Sequence, residues 1–210
     1  MFKHKIILVF CLLITAQWSV AGGGPCVTVQ SGNWSDDSTW DCSPLSAPDE
    51  NSEITIKSGH SVILDVDTIG VGAVVVEAGG DFNVAASANG LSLNINNSVP
   101  AGIVDLTEAH IDLSGDFTIN ANDLEISLGD VNGQYSLNLN SNQAIYLQGN
   151  IGGNNQPISM LTVNSVDQIT IDTPSIFTLN SQNYSGYLVL NQNTVLNAQK
   201  IAVQNDFSIG

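Results

Sequence analysis

Short runs of alternating apolar and polar residues dominate the chain from Glu53 onward. Clear examples begin at residues 53, 61 and 73, with the sequences E-I-T-I-K, S-V-I-L-D-V and A-V-V-V-E, and Gly, Asn, Asp and Ser separate such runs. Alternation of this kind is typical of β-strands that bury one face. Because no stretch repeats apolar residues with the 3.6-residue period of a helix, we predict an all-β chain.

One short motif returns along these strands: an apolar, a polar and an apolar residue, followed by Asn and usually a small residue. Its clearest copies begin at Leu91, Phe117, Leu137, Leu161 and Phe177, at spacings of 26, 20, 24 and 16 residues, about 21 on average. The first and third residues of each copy share one strand face and should point inward. The Asn suits a turn, because it tolerates left-handed backbone, and stacked Asn side chains can also form hydrogen-bonded ladders.

Recurrence of one motif at this interval predicts a β-solenoid in which each coil adds about 4.8 Å to a stack. A β-sandwich or barrel is the alternative, but neither requires a motif to return in the same register. We therefore predict a right-handed parallel β-helix over residues 59–210, preceded by an N-terminal cap over residues 22–58. A partial copy that begins at Phe207 stops at Gly210, so we expect a fragment of a longer array, or an open end that self-associates end to end.

The first 21 residues have the composition of a secretory signal peptide. A basic start with Lys3 and Lys5 precedes an apolar run over residues 6–16, and S-V-A at residues 19–21 resembles a cleavage site. A membrane anchor is the alternative, but the run is shorter than the roughly 18 apolar residues of a spanning helix, and no later segment supplies them. We predict no transmembrane helix, and secretion or display on the outer surface of a Gram-negative-type bacterium.

Acidic residues far outnumber basic ones. The formal net charge is −16, no Arg occurs, and only two of the four Lys residues, Lys57 and Lys200, follow residue 21. Such a chain repels phosphate groups, so we expect no binding to nucleic acid. Enzymes that degrade polysaccharides by elimination usually use Arg or Lys to abstract a proton or stabilise the enolate, and the composition argues against that chemistry.

Two of the three cysteines, Cys26 and Cys42, follow the predicted signal peptide. In an oxidising compartment an even pair favours a disulfide, and closing a loop of about 16 residues is worth roughly 3 kcal/mol in the chain-entropy model. Two free buried thiols are the alternative. A metal site is not expected there, because no other Cys or His lies at ligand spacing.

The segment over residues 27–85 resembles the eight-glycine domain found at the start of some bacterial and animal β-helical surface proteins. The similarity rests on G-N-W-S-D at residues 32–36, a second Trp at residue 40, a Pro-Asp step at residues 48–49 and G-H at residues 59–60; residues 41–48 contain less glycine than the family usually has. Further along, G-N-I-G-G at residues 149–153 and Q-N-Y-S-G at residues 182–186 resemble coils of filamentous-haemagglutinin-type and autotransporter-like adhesins. These resemblances imply a large secreted or outer-surface adhesin.

Two tryptophans, Trp34 and Trp40, lie in the segment that carries the first resemblance. Aromatic faces can stack on sugar rings, which makes both residues candidate carbohydrate contacts. The interpretation that we favour is that the pair covers the end of a hydrophobic column.

Paired carboxylates are the strongest candidates for catalysis. Asp65 and Asp67 alternate with Val66 and would lie about 7 Å apart on one strand face, where such a pair can hydrolyse glycosides. We favour a solvated face or a calcium site instead. Further carboxylates that could offer calcium oxygen ligands, without following the tandem repeat of calcium-binding β-helices, are Asp112, Asp116, Asp123 and Asp130. Two isolated histidines, His60 and His110, favour no metal site.

The sequence therefore predicts a structural or adhesive β-helical protein without catalytic activity, a piece of a larger adhesin. We expect no cofactor, and partners among host or matrix glycans or proteins. A carbohydrate-binding or polysaccharide-degrading β-helix is the alternative function.

Overall fold

A computed structural model describes residues 23–43, 47–96, 102–153, 156–205 and 207–209. Within those ranges the chain is an all-β parallel solenoid of about 7 turns, which confirms the predicted solenoid architecture. The helical part of those ranges is one 3₁₀ turn over Asp37–Thr39, and the Asp36 carboxylate caps it by accepting a hydrogen bond from Ser38 N at 2.8 Å. The predicted signal peptide, residues 1–21, lies outside the described residues.

Each coil has three sides, and four strands are long enough to turn a corner and belong to two sides. These strands are β9 (Val104–Asp112), β11 (Ile126–Asn132), β14 (Leu161–Ile171) and β16 (Ser181–Leu190). The pairing register shifts within β9–β11 and within β14–β16, where the chain passes the corner.

The first side is a column of parallel strands in which each strand pairs with the strand one coil later. In addition to parts of the four long strands, it contains β1 (Pro25–Thr28), β4 (Glu53–Ile56), β6 (Ala73–Val76), β13 (Ile145–Leu147) and β19 (Phe207–Ile209).

The second and third sides are built in the same way. The second side contains parts of β9 and β11 with β2 (Gly32–Asn33), β5 (Ser61–Leu64), β7 (Asp81–Val84), β15 (Ser175–Phe177) and β17 (Val195–Asn197). The third side contains parts of β14 and β16 with β8 (Leu91–Asn94), β10 (Phe117–Asn120), β12 (Leu137–Ser141) and β18 (Lys200–Gln204).

The core is the narrow interior that the three sides enclose, and aliphatic side chains fill it in vertical columns. On the third side, Leu93, Ile119, Leu139 and Val163 follow one another in register, and each is fully buried. Burying one such side chain contributes about 1.5–3 kcal/mol. Alternation along each strand sends every second residue into the interior and leaves the residues between them on the outside.

The predicted repeat register is confirmed for four copies of the motif. Leu91, Phe117, Leu137 and Leu161 occupy equivalent positions of β8, β10, β12 and β14. The Asn of these copies ends or lies within a strand; among the described residues, the non-glycine residues with left-handed backbone are Asn51, Asn122 and Asn205. The interpretation of the motif Asn as a turn residue is therefore wrong, and its ladder role is confirmed below.

The prediction of a fifth copy of the motif at Phe177 is wrong. Phe177 lies in β15 on the second side, and the residue that follows Leu161 in the third-side column is Gln182. The fifth copy in the structure begins at Gln182. It does not show the apolar pattern, because its two inward residues, Gln182 and Tyr184, carry polar groups although both are buried. Their hydrogen bonds to one another and to the backbone make this burial tolerable.

The N-terminal segment is joined to the coil stack by strand pairing. Strand β1 pairs in parallel with β4, and β4 pairs in parallel with β6, so the stack extends into residues 22–58. Strand β3 (Trp40–Asp41) turns back and pairs with β1 in the antiparallel direction. This reversal places Cys42 beside Cys26, and the predicted disulfide between them is confirmed, with an S–S distance of 2.03 Å.

Removing this disulfide is expected to destabilise the protein by roughly 3 kcal/mol, because the open chain gains loop entropy on unfolding. Cys42→Ala tests this in chemical denaturation without reductant. The matched control is the unsubstituted protein with reductant, which should unfold at the same denaturant concentration as the variant. If the oxidised protein, the reduced protein and the variant share one midpoint, the disulfide contributes no stability.

Candidate functional site

A ladder of four asparagine side chains runs along the outside of the third side. In three of them, Nδ2 donates to Oδ1 of the Asn one coil earlier: Asn120 to Asn94 at 2.9 Å, Asn140 to Asn120 at 2.9 Å, and Asn164 to Asn140 at 2.8 Å. Asn94 Nδ2 donates to Thr68 O at 2.8 Å. Because every donor points toward the N-terminal end of the stack, the amide dipoles align and reinforce one another.

The ladder leaves half of the hydrogen-bonding capacity of its amides for other partners. A primary amide has two N–H donors and an oxygen with two lone pairs, and the bonds within the ladder use one N–H of each Asn and one lone pair of each acceptor. Asn120 and Asn140 are half-buried and Asn164 is exposed. The described ladder therefore offers solvent a donor and an acceptor at each coil, held in fixed planes.

A second column of uncharged polar residues lies beside the ladder, two positions earlier in each strand. Its members occupy register-equivalent positions on the third side: Ser92, Thr118, Asn138, Thr162 and Asn183. In a chain with a net charge of −16, these columns form an outer surface of amides and hydroxyls.

Buried serines hold the corner that follows the ladder. Ser141 Oγ lies 2.6 Å from Leu124 O and accepts a hydrogen bond from Gln143 N at 2.9 Å. Ser165 Oγ donates to Gln143 O at 2.8 Å and accepts from Asp167 N at 3.1 Å. Each hydroxyl thus fixes its own turn and joins that turn to the preceding coil, which explains the serine after Asn in the copies that begin at Leu137 and Leu161.

The ladder and this corner together form a groove of about 340 Å³. Its lining consists of two rows with the corner serines between them, and Ser185 one coil later. The ladder row contains Asn120, Asn140 and Asn164, and the corner row contains Asn122, Asn142 and Val166. Val166 is 79% exposed, so the groove combines amides, hydroxyls and one accessible apolar side chain.

Trp34 and Trp40 lie inside the protein, and each is 5% exposed. Their ring centroids are 5.1 Å apart in an edge-on arrangement, and Trp40 Nε1 donates to Trp34 O at 2.9 Å. Trp34 also contacts Phe82 edge-on, at 6.3 Å. Both rings therefore pack at the N-terminal end of the interior and leave almost no face on which a sugar could stack.

Asp65 and Asp67 do not share a strand face, because β5 ends at Leu64 and the backbone bends at Val66. Asp65 accepts hydrogen bonds from Ser35 N at 3.0 Å and Ser35 Oγ at 2.6 Å. Asp67 accepts from Ser92 N at 2.7 Å. The predicted paired arrangement is wrong: one carboxylate bonds to the preceding coil and the other to the following coil.

The four carboxylates considered as calcium ligands have separate partners. Asp116 accepts from Ser136 N at 2.8 Å, Asp130 from Asn150 N at 2.7 Å, and Asp123 from Asn142 Nδ2 at 2.9 Å, whereas Asp112 lies 3.5 Å from His110 Nε2. Among the residues that the structure describes, no group of three or more His, Cys, Asp or Glu side chains is arranged to hold a metal ion.

The histidines also lie in different places. His60 Nδ1 is 2.8 Å from Thr28 Oγ1, a contact between the first coils. His110 Nε2 is 3.3 Å from Asn132 Nδ2 on the second side.

A polar pair lies in the interior of the last coil that lines the groove, in the strand that contains Ser185. Gln182 Nε2 donates to the carbonyl oxygens of Ile176 and Asn197, both at 3.0 Å, and its Oε1 accepts from Tyr184 Oη at 3.0 Å. Burial raises the pKa of the Tyr184 phenol well above its usual range, so the hydroxyl stays protonated and remains a donor. The pair therefore links different sides of the solenoid through hydrogen bonds, whereas aliphatic side chains at these positions would contribute packing alone.

Comparison with known proteins finds no match to a family model, a curated protein or a solved structure. In the described ranges, no helix has the length and apolar character needed to cross a membrane. The candidate site therefore rests on the geometry of this chain.

Proposed function

We propose that this chain is the β-solenoid part of an exported, non-catalytic protein with a structural or adhesive role at the outer surface of a Gram-negative-type bacterium. The observation that carries the proposal is the uncharged amide and hydroxyl surface of the third side, held in register over successive coils by the Asn ladder. A rigid surface of this kind suits repeated weak contacts with an extended partner. The resemblance to the eight-glycine domain and to adhesin coils supports the same role.

Display of the full chain in a Gram-negative host tests the export half of this proposal. Protease added to intact cells should degrade the protein, and mass spectrometry of the intact exported form should show that residues 1–21 are missing. A protein that keeps these residues and resists external protease in intact cells contradicts the proposal.

Adhesion is the second half, and displaying cells should attach to immobilised matrix material more strongly than cells without the chain. The same protein, purified and incubated with polysaccharides, should release no new reducing ends or unsaturated products. Product formation that Asp65→Asn abolishes would instead establish an enzyme, because that substitution preserves side-chain size while it removes the carboxylate.

A further inference from the structure

We infer that the groove beside the Asn ladder binds a linear neutral polysaccharide, with the glycan chain aligned along the stack axis. The inference rests on the proposed adhesive function and assigns it a ligand class and a site. It depends on the contacts of the ladder, on the uncharged lining and on the exposure of Val166.

The ladder amides match the hydrogen bonding of sugar hydroxyl groups. A hydroxyl donates one hydrogen bond and accepts others, and each ladder Asn keeps one N–H beside an oxygen lone pair in the same amide plane. These pairs recur at each coil of the ladder, about 4.8 Å apart, so a ligand with hydroxyls at regular intervals can use several of them at once. Because the ladder bonds already fix the amide planes, binding orders fewer side chains than it would on a free Asn surface.

The charges around the groove select against acidic ligands. Asp123 accepts from Asn142 at the corner row, and Asp167 follows Val166 directly. In a chain with a net charge of −16, uronate, sulfate and phosphate groups would be repelled. The lining itself contains no charged residue, so no charged side chain has to lose its hydration when a neutral ligand binds.

Val166 supplies the apolar contact that a sugar ring needs. The side chain is 79% exposed at the bulge of β14, where the β14–β16 pairing breaks between Asn164 and Gln168. The C–H face of a sugar can pack on its methyl groups while the ring hydroxyls reach the ladder row. Two coil intervals separate Asn120 from Asn164, about 10 Å, so the ligand is an extended chain of sugars.

Native electrophoresis of the full chain through gels that contain a neutral polymer tests this inference. The probes are glucomannan, galactomannan, mixed-linkage β-glucan and dextran, with polygalacturonate as the acidic counterpart. At least one neutral polymer should retard the protein, and added salt should leave the retardation unchanged because no charges are paired. Retardation by none of them, or by polygalacturonate more strongly than by the neutral polymers, would overturn the inference.

Two surface substitutions locate the site. Val166→Ala and Asn142→Ala should each weaken binding of the retarding polymer by about fivefold. Both residues are exposed, and thermal unfolding should show that both variants fold. The matched control is Val29→Ala, the same change at a 53% exposed valine near the N-terminal end of the stack.

Equal retardation of the Val166→Ala, Asn142→Ala and Val29→Ala variants would overturn the site. A different outcome is that cells that display the Val166→Ala variant adhere as well as cells that display the unsubstituted chain, while no neutral polymer retards the purified protein. In that case the adhesive function stands and the glycan inference is wrong. Failure of export or of adhesion by the unsubstituted chain contradicts the proposed function itself.

Discussion

Replacing Gly149 with alanine is expected to destabilise the solenoid by at least about 4 kcal/mol, because the added methyl group cannot fit between two coils. A Cβ at this position would lie 2.2 Å from Gly129 C and 2.3 Å from Asp130 N. Both atoms belong to the backbone of the preceding coil, so no side-chain rotation relieves the clash. The two coils would have to separate, and the parallel pairing on either side of the corner would weaken.

Chemical denaturation followed by circular dichroism measures this effect. The matched control is Gly59→Ala, where the backbone is left-handed with φ of 77° but nothing lies within 4 Å of the added atom. That control should cost only about 1–2 kcal/mol, from the unfavourable conformation alone. Equal losses for the two variants would show that coil contact at Gly149 is not the limiting feature.

The second large effect is expected for Phe117→Ala, which should cost about 4 kcal/mol by leaving a cavity in the interior. Phe117 is fully buried between Leu91 and Leu137 of the neighbouring coils, and its ring centroid lies 6.0 Å from that of Phe82. The interior between the three sides is narrow and closely packed, so few other side chains can move in to fill the space.

The matched control for this cavity is Phe117→Leu, because leucine occupies the same position in the coils before and after. That variant should lose about 1 kcal/mol, since it keeps most of the apolar volume. Thermal and denaturant unfolding of both variants measure the difference. A cost for the alanine variant as small as that for leucine would mean that the column is not packed as described.

The architecture could be predicted because stacking imposes one rule on every coil. Residues that point into a narrow interior must be apolar, and parallel neighbours must share a register, so a motif such as that at Leu91 and Leu137 returns in phase. The Cys pair was also visible from the sequence, since two cysteines remain after the predicted signal peptide. Both features follow from residue types and spacings that can be read directly from the sequence.

Other features depend on which residues become neighbours in three dimensions. The motif Asn suits both a turn and a ladder, and only the coil register decides that Asn120 and Asn140 bond to each other. The copy at Phe177 failed because Gln182 and Tyr184 satisfy each other inside the coil. Because these two inward-facing residues are polar, a search for alternating apolar residues does not find this strand.

The groove was missed for a related reason. Each of its two rows collects residues from successive coils, and the coil lengths vary, so Val166 and Asn142 are not recognisable as neighbours in the sequence. The available signal was the small residue after Asn, because Ser141 and Ser165 form the corners that shape the groove. Asp65 and Asp67 are the opposite case. Their spacing predicts a pair of carboxylates on one strand face, but the bend after Leu64 separates them.

The coil register is the central claim, because the ladder, the groove and the proposed ligand site all depend on it. Engineered disulfides measure it directly. Thr118 and Asn138 are register partners on the outer face of β10 and β12, at the spacing of about 4.8 Å that a disulfide can bridge. The comparison pair, Thr118 with Asn140, is two residues out of register and about 8 Å apart, which is too far for a disulfide.

The protein with Thr118→Cys and Asn138→Cys should therefore cross-link on mild oxidation, as mapped by mass spectrometry of peptides beside the native Cys26–Cys42 bond. The protein with Thr118→Cys and Asn140→Cys should keep two alkylatable thiols under the same conditions. Cross-linking of the second pair in preference to the first would contradict the register, and with it the asparagine ladder and the binding groove.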